Sequence, residues 1–339
     1  MGLMFIVGRA GSGKTHFCLR EIAQRQLKSS NEKLFYIVPE QYTLQAEKDL
    51  IGLTENGVIM RAQVLSFSRL CYNILSLNGG LNKTPLSDTG KALVIRKIIS
   101  ENMDKFLYFQ NCAGRFSFTE QVCATITELF EYGVSPENLS MSFENETSSV
   151  MFMKAHDIGI IYKQFIKYMS EGYISSETSL DMLYSSMEDS SFVSDGEIWL
   201  DGFSSFTPQE LKIIERLIKS AKNVFITLTI NKAAVNNPNL SETSVFYQTK
   251  KTYSQIVKLA EKIGVNVSVK YMGEPLRFKT DGLKNLENGF LYHNPSQNKC
   301  GTEIEIYSAD TPFDQAQNIV CRIIELRKNG YKFNDMAVL

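Results

Sequence analysis

The sequence predicts an α/β protein built on a parallel sheet, with a phosphate loop after its first strand and a helical insertion in its middle. Three observations predict this. Ahead of Ser87, short apolar runs alternate with helix-forming stretches in the order βαβαβα, the pattern of a parallel sheet with covering helices. The run Leu3-Met4-Phe5-Ile6-Val7 breaks into Gly8-Arg9-Ala10-Gly11-Ser12-Gly13-Lys14-Thr15, which matches the phosphate-loop pattern G-x-x-x-x-G-K-[ST]. Between Ser87 and about Ser186 no buried strand is evident, and apolar residues recur at helical spacing.

The loop residues have separable tasks. Glycines let the backbone turn tightly, so that successive N–H groups point inward at an anion. The helix that follows adds the positive end of its dipole. Lys14 is a mobile point charge for the β- and γ-phosphates, and the Thr15 hydroxyl is a Mg²⁺ ligand. The sequence therefore predicts binding of a nucleoside triphosphate by Gly8 to Thr15, without saying what the triphosphate does.

The elements follow in order. His16 to Leu27 is the helix after the loop, and Lys33 to Val38 a second buried strand ending at Pro39. Glu40 to Leu50 has helical composition. Val64 to Phe67 reads as a third strand, and Ser68 to Leu77 as a helix with Leu70, Ile74 and Leu77 on one face. Within the helical stretch, Ser87-Asp88 is a cap signal, and Gly133-Val134-Ser135-Pro136 ends a helix and turns. Phe143 to Val150 and the serine-rich 185–194 read as loops. The sheet resumes at Glu197-Ile198-Trp199-Leu200-Asp201. Thr207-Pro208-Gln209-Glu210 then carries an N-cap, a proline at the first helical position and a capping-box glutamate. Val224 to Ile230 is a β-branched strand, Val245 to Ile263 a helix and Asn266 to Tyr271 an edge strand. Residues 274–301, rich in Gly, Pro and Asn, read as a linker. Glu303 to Ser308 reads as an alternating strand, Asp310 to Lys328 as a helix, and Met336 to Leu339 as a further apolar strand, so that the sequence reads as a longer protein cut early in a second α/β domain. The expected organisation is 1–86 and 191–273 as two parts of one domain, 87–190 as the helical insertion, 274–301 as linker and 302–339 as the start of the second domain.

Composition narrows the class. The 339 residues are 43% hydrophobic and 22% charged, with 36 basic and 37 acidic side chains, so no global charge marks nucleic acid or membrane as a partner. Six scattered cysteines and three histidines lack metal-ligand spacing. Without a signal peptide or a membrane-length apolar run, they predict reduced thiols in a cytoplasmic protein.

A phosphate-loop ATPase also needs a carboxylate at a strand end to hold Mg²⁺. Asp201 is the candidate here, although Asp201-Gly202 also reads as a simple turn. The position after it, commonly a water-orienting Glu in helicase-type ATPases, is Gly202. That predicts a site that binds nucleotide and turns it over poorly or not at all.

Gly8 to Thr15, Val38-Pro39-Glu40-Gln41, Leu65-Ser66-Phe67-Ser68-Arg69-Leu70, and Asp201-Gly202-Phe203 with Phe206-Thr207-Pro208-Gln209-Glu210 together resemble AddB, the B subunit of the bacterial AddAB-type ATP-dependent helicase/deoxyribonuclease. Tyr307 to Pro312 and Asp335 to Leu339 resemble the start of that family's second motor domain. The resemblance implies a P-loop NTPase fold of the RecA-like, UvrD/Rep helicase type, split by a helical insertion. It implies a degenerate motor that works beside AddA, the active helicase of the heterodimer, in double-strand-break repair and recombination. AddB would grip the 3′-ended single strand of a duplex end and scan it for the Chi signal. The nuclease domain and an iron–sulfur cluster belong to the family's C-terminal part, so neither is expected here. ATP with Mg²⁺ is the implied ligand. The glutamine that reads adenine upstream of the loop in UvrD-type helicases has no counterpart, because only Met1 and Gly2 precede the strand. Matching motifs carry over Gln41, Thr43, Phe67, Arg69 and Phe206 as contacts to the DNA strand. Gln and Thr can bond base edges, Arg can pair with phosphate or guanine, and Phe offers a stacking face. Each also has a plainer reading: Phe67 as core, Gln41 as a first-turn helix residue, Arg69 as a surface ion pair. The alternative function is a self-contained P-loop kinase with the helical stretch as lid. Arg96 and Arg115, the only arginines there, make a poor phosphate clamp.

Overall fold

The computed structural model describes residues 2–27, 32–54, 57–77, 84–141, 149–174, 176–187, 192–292 and 304–339. The chain forms two compact units, Met1–Leu276 and Arg277–Leu339.

The first unit is an α/β domain. Its strands are β1 (Gly2–Gly8), β2 (Leu34–Ile37), β3 (Ala62–Leu65), β6 (Glu197–Leu200), β7 (Asn223–Thr229) and β8 (Asn266–Tyr271). They form one six-stranded sheet in the order β3-β2-β6-β7-β1-β8, parallel throughout. Every strand therefore ends on the same edge. β2, β6 and β7 are mostly apolar and buried on both faces, as parallel strands between helix layers must be, with Glu197 of β6 and Thr227 of β7 as buried polar residues. β8 instead alternates: Val267 and Val269 are half-buried between exposed Asn266, Ser268 and Lys270, the pattern of an edge strand.

Helices α1 (Lys14–Gln26) and α2 (Thr43–Gly52) cover one face, where Cys18, Leu19 and Ile22 meet Ile6, Tyr36, Val38 and Trp199. The other face is met by α9 (Pro208–Ser220) and α11 (Tyr247–Ile263), and Tyr253 of α11 lies 4.7 Å from the ring of Phe5. The capping box of α9 forms as expected: Glu210 N donates to Thr207 Oγ1 at 3.2 Å, and Thr207 N donates to Glu210 Oε2 at 2.8 Å. A short α10 (Lys232–Asn236) follows β7.

β3 stops at Leu65, and Phe67 opens α3 (Phe67–Leu77) rather than ending the strand. Ser66 makes the difference. Its hydroxyl accepts the Arg69 N–H at 3.2 Å and its carbonyl the Leu70 N–H at 2.9 Å, so it caps the helix and fixes the boundary.

The helical insertion contains α4 (Asp88–Asn102), α5 (Phe116–Glu131), α6 (Pro136–Met141), α7 (Val150–Ser170) and α8 (Ser176–Ser186). Ser87 caps α4 through the Gly90 N–H. Ile95, Ile98, Val122, Ile126, Ile161 and Phe165 form a core separate from that of the sheet. A two-residue pairing of β4 (Thr84–Pro85) with β5 (Tyr173–Ile174) joins the two ends of the insertion, and α8 packs against α3 and α9. The expected loop at 143–150 falls outside the described residues up to 148; Val150 starts α7. Of the serine-rich 185–194, residues 188–191 also lie outside them.

The second unit holds α12 (Asp281–Tyr292) and α13 (Pro312–Lys328). α12 occupies part of the stretch whose composition reads as linker. Leu283, Leu286 and Phe290 give it helical spacing, which Gly and Asn residues conceal. Residues 304–308, expected as a strand, pair with no strand among the described residues, and Ile306 is 94% exposed.

Candidate functional site

The Gly8–Thr15 loop is held by close approach and positive φ. Gly11 and Gly13 adopt φ values of 75° and 85°, left-handed conformations that suit glycine. A Cβ on Gly8 would strike the Ser12 hydroxyl and come within 2.8 Å of Met272 Cβ, so that position admits no side chain. Gly13 is the N-cap of α1 and supplies no side-chain bond, which leaves the first-turn N–H groups facing the loop. Lys14 Nζ donates to the carbonyls of Gly8 and Arg9, at 2.9 Å each. Ser12 Oγ is buried without a hydrogen-bond partner among the described residues. Such an orphan is costly unless a ligand completes it. Thr15 is half-buried at the start of α1.

Asp201 follows β6 and is 2% exposed. β6 does not neighbour β1; β7 lies between them. Tyr36 donates to Asp201 Oδ2 at 2.7 Å, and the Thr227 hydroxyl of β7 donates to Oδ1. No Lys, Arg or His forms an ion pair with Asp201 among the described residues. Asp201 is thus a buried carboxylate that accepts from two hydroxyls, and its charge acts on its neighbours. Burial and the Asp201 charge push the Tyr36 phenol far above its ordinary value. Burial pushes the Cys18 thiol up, with Asp201 adding and Lys14 opposing. Tyr42 is pushed up to about 12 by burial and by its bond to Asp49, with Asp201 contributing. The donor set suits a divalent cation: hard oxygen at Asp201, a hydroxyl at Thr15, and no paired cation among the described residues. Gly202 has φ 84°, and a Cβ there would sit 3.2 Å from Pro39 Cδ. The backbone that presents Asp201 thus favours glycine where a water-orienting acid would stand.

One part of the site was not visible in the sequence. After β8 the chain runs along the Gly8–Thr15 loop. Met272 N donates to Val7 O at 2.7 Å, Leu276 N donates to Gly11 O at 2.8 Å, and Glu274 pairs with Arg9. No local motif marks 272–276. Only the pairing of β8 with β1 brings them there.

The remaining candidates lie after β2, β3 and β6, on the same edge of the sheet. Gln41 is exposed in a single 3₁₀ turn, Glu40–Tyr42. Thr43 is buried and its hydroxyl donates to the Glu40 carbonyl at 3.0 Å. Arg69 is exposed and donates to Glu47 Oε1 at 3.1 Å. Phe67 and Phe206 are buried, at 7% and 9% exposure. Together with half-buried Phe203 they form a cluster with ring centroids 5.0 to 6.4 Å apart. That cluster ties α3 to the turn after Asp201. As folded, Gln41 and Arg69 are exposed, with the Arg69 guanidinium bonded to Glu47, whereas Phe67 and Phe206 turn their rings to each other. Among the described residues no three His, Cys, Asp or Glu side chains converge as a metal site. No described helix is long and apolar enough to cross a membrane.

A family model described as "ADDB, N-terminal" matches residues 5–287. The chain belongs to this AddB N-terminal family. The curated relatives it matches are named as the B subunit of an ATP-dependent helicase/deoxyribonuclease. The protein of that name from Alkaliphilus oremlandii (strain OhILAs) is 33% identical over 346 residues, covering 100% of this chain and 30% of the relative. Those from Caldanaerobacter subterraneus subsp. tengcongensis and Ruminiclostridium cellulolyticum are 34% and 35% identical, over 100% of this chain and 29% and 30% of their own lengths. The chain thus spans about 30% of the length of the curated relatives it matches. The matched residues 5–287 include the Gly8–Thr15 loop, Asp201 and each strand end described above.

Proposed function

We propose that this chain is the helicase-like N-terminal part of the B subunit of a heterodimeric, cytoplasmic ATP-dependent DNA helicase/exonuclease that acts in double-strand-break repair and recombination. The carrying observation is the convergence of the Gly8–Thr15 loop and a buried Asp201, without an ion-pair partner among the described residues, on the edge where Gln41 and Arg69 also emerge. Gly8 to Thr15 would hold the triphosphate, with Lys14 leaving the Gly8 and Arg9 carbonyls for phosphate oxygens. Thr15 and Asp201 would hold Mg²⁺, whose positive charge offsets that of the phosphates and neutralises the Asp201 pocket. The fold is then of the RecA-like P-loop type, with 87–190 as an insertion between 1–86 and 191–273, 274–301 as a connection and 302–339 opening a second such domain.

The left-handed Gly202 supports a site that binds ATP and hydrolyses it poorly. The region grips and scans 3′-ended single strands for Chi, and the AddA partner supplies the motor. The names of the relatives and the polar groups at Gln41 and Arg69 support that reading. Titration with a fluorescent single-stranded oligonucleotide, with and without a non-hydrolysable ATP analogue, tests it. Binding that the analogue modulates, with turnover well below the ~1–10³ s⁻¹ usual for enzymes, is expected. DNA-stimulated turnover within that range sinks the degenerate-motor reading. Absence of oligonucleotide binding at low salt, in complex with the AddA partner, sinks the DNA reading.

A further inference from the structure

The helical insertion carries a feature that the strand-end site does not use. Residues 103–115 connect α4 to α5, a long connection where ~2–8 residues is common between packed helices. It is nonetheless tightly anchored. Asp157 of α7, fully buried, accepts the N–H groups of Leu107, Tyr108 and Phe109 at 2.8, 2.9 and 2.9 Å. The residues so anchored turn apolar surface outward: Leu107 is 53% exposed, Tyr108 44%, and Phe116 just beyond the connection 62%. Loops with this cost of anchoring and this exposure are commonly functional.

Charge is segregated onto the same place. Of the eight Lys and Arg residues between Ser87 and Ser190, five lie on or beside this connection: Arg96, Lys97, Lys105, Arg115 and Lys154. Two stand against the exposed rings, with Lys154 Nζ 4.9 Å from the Tyr108 centroid and Arg96 Cζ 6.0 Å from that of Phe116. Among the described residues the acidic groups facing them are few. Glu101 sits 3.9 Å from Lys97, Asp104 is exposed, and Glu120 lies one turn further along α5. Glu128, Glu131 and Glu171 are at the opposite ends of their helices. The connection itself begins at the far end of α4, about 22 Å along the helix at 1.5 Å per residue from the end next to β4, and Arg96 lies about 12 Å along it.

We infer that this tip of the insertion is a second nucleic-acid contact, in which Tyr108 and Phe116 stack on unpaired bases and Arg96, Arg115 and Lys154 bind the flanking phosphates. It rests on the proposed action on DNA and extends it to a surface of the helical insertion. Exposed rings flanked by cations are the arrangement that binds single strands without sequence preference. A polyanion is the partner that the charge segregation fits, on an insertion otherwise acidic.

The test uses full-length AddB with its AddA partner, a labelled oligothymidylate, and a salt titration. Arg96→Gln with Arg115→Gln should lower the steepness of log K against log[salt] by about 1.4, at ~0.7 per phosphate contact on a single strand. Tyr108→Ala with Phe116→Ala should weaken binding at least fivefold while leaving the salt slope unchanged, since stacking contributes roughly five- to a hundredfold per base. Lys163→Gln, on α7 outside the patch, should change neither. The arginine pair removes no buried packing, so its outcome does not depend on how the ring variants fold. A slope and affinity equal to the parent's in the arginine pair overturns the inference and leaves the proposed function standing. Loss of heterodimer formation with an unchanged DNA slope assigns the patch to a protein and overturns it too. A parent that binds no oligonucleotide overturns both.

Discussion

Lys14→Ala would separate the nucleotide role proposed for the loop lysine from its structural one. In the folded chain the ammonium already donates to the Gly8 and Arg9 carbonyls at 2.9 Å each. Bonds from charged donors contribute ~1.5–3 kcal/mol when buried; this half-buried pair contributes less, about 1 kcal/mol in total. The unit Met1–Leu276 has a melting entropy of about 0.6 kcal/mol/K, at ~2.1 cal/mol/K per residue. Without ligand the variant should therefore melt about 2 °C below the parent. With MgATP at one hundred times its dissociation constant, the parent gains about 2.7 kcal/mol, or about 5 °C. A variant whose affinity has fallen a hundredfold gains about 0.4 kcal/mol at the same concentration, under about 1 °C. Differential scanning calorimetry of both proteins, with and without MgATP, reads all four values. An equal nucleotide shift in parent and variant would falsify the role given to Lys14. An unligated variant as stable as the parent would show that its carbonyl bonds contribute nothing.

Gly202→Ala should destabilise the protein by about 1–2 kcal/mol, because φ 84° is left-handed and the added Cβ approaches Pro39; urea unfolding checks this, and a neutral result refutes the strain argument. Gly202→Glu should not restore turnover, since the glutamate would enter on a strained backbone; phosphate release in the ~1–10³ s⁻¹ range on DNA would show otherwise. Burial pushes the Glu210 carboxyl above its ordinary 4.5, against the bonds from Thr207. The folded state then holds that proton more tightly, so its contribution is full below pH 4.5 and is lost as pH rises through the folded value. Glu210→Gln keeps the capping box and should flatten the melting profile just above pH 4.5; a profile unchanged by the substitution refutes this. Glu47→Gln releases Arg69 from its surface ion pair, worth ~0.2–1 kcal/mol, and should raise single-strand affinity up to about fivefold at low salt. Unaltered affinity would remove Arg69 from the DNA contacts.

Local chemistry made the glycine-rich loop, the α9 capping box and the order of the main strands and helices of the first unit legible in the sequence. Each depends on residues close along the chain: glycines spaced for a turn, Thr207 and Glu210 one helical turn apart, β-branched runs bounded by breakers. The same locality explains the misplaced boundary at Phe67. Its alternation with Leu65 suits a strand, but the capping bonds of Ser66 fix a helix start there. The Glu274–Arg9 pair, the Thr227 hydroxyl on Asp201, the phenylalanine cluster and the Asp157 anchor join residues far apart in sequence. No spacing rule encodes such contacts, because strand order and helix packing decide them.

Gly8 to Thr15 alone determined that a tight glycine-rich loop joins the first strand to a helix, since glycine backbone freedom and a following helix-forming stretch suffice for it. Only the tertiary structure decided what stands around it. Parallel pairing in the order β3-β2-β6-β7-β1-β8 carries Asp201, Gln41 and Arg69 to the loop's edge of the sheet, and lays 272–276 along the loop itself. The physical reason is that a parallel sheet collects all its strand ends on one side, whatever their distance in sequence.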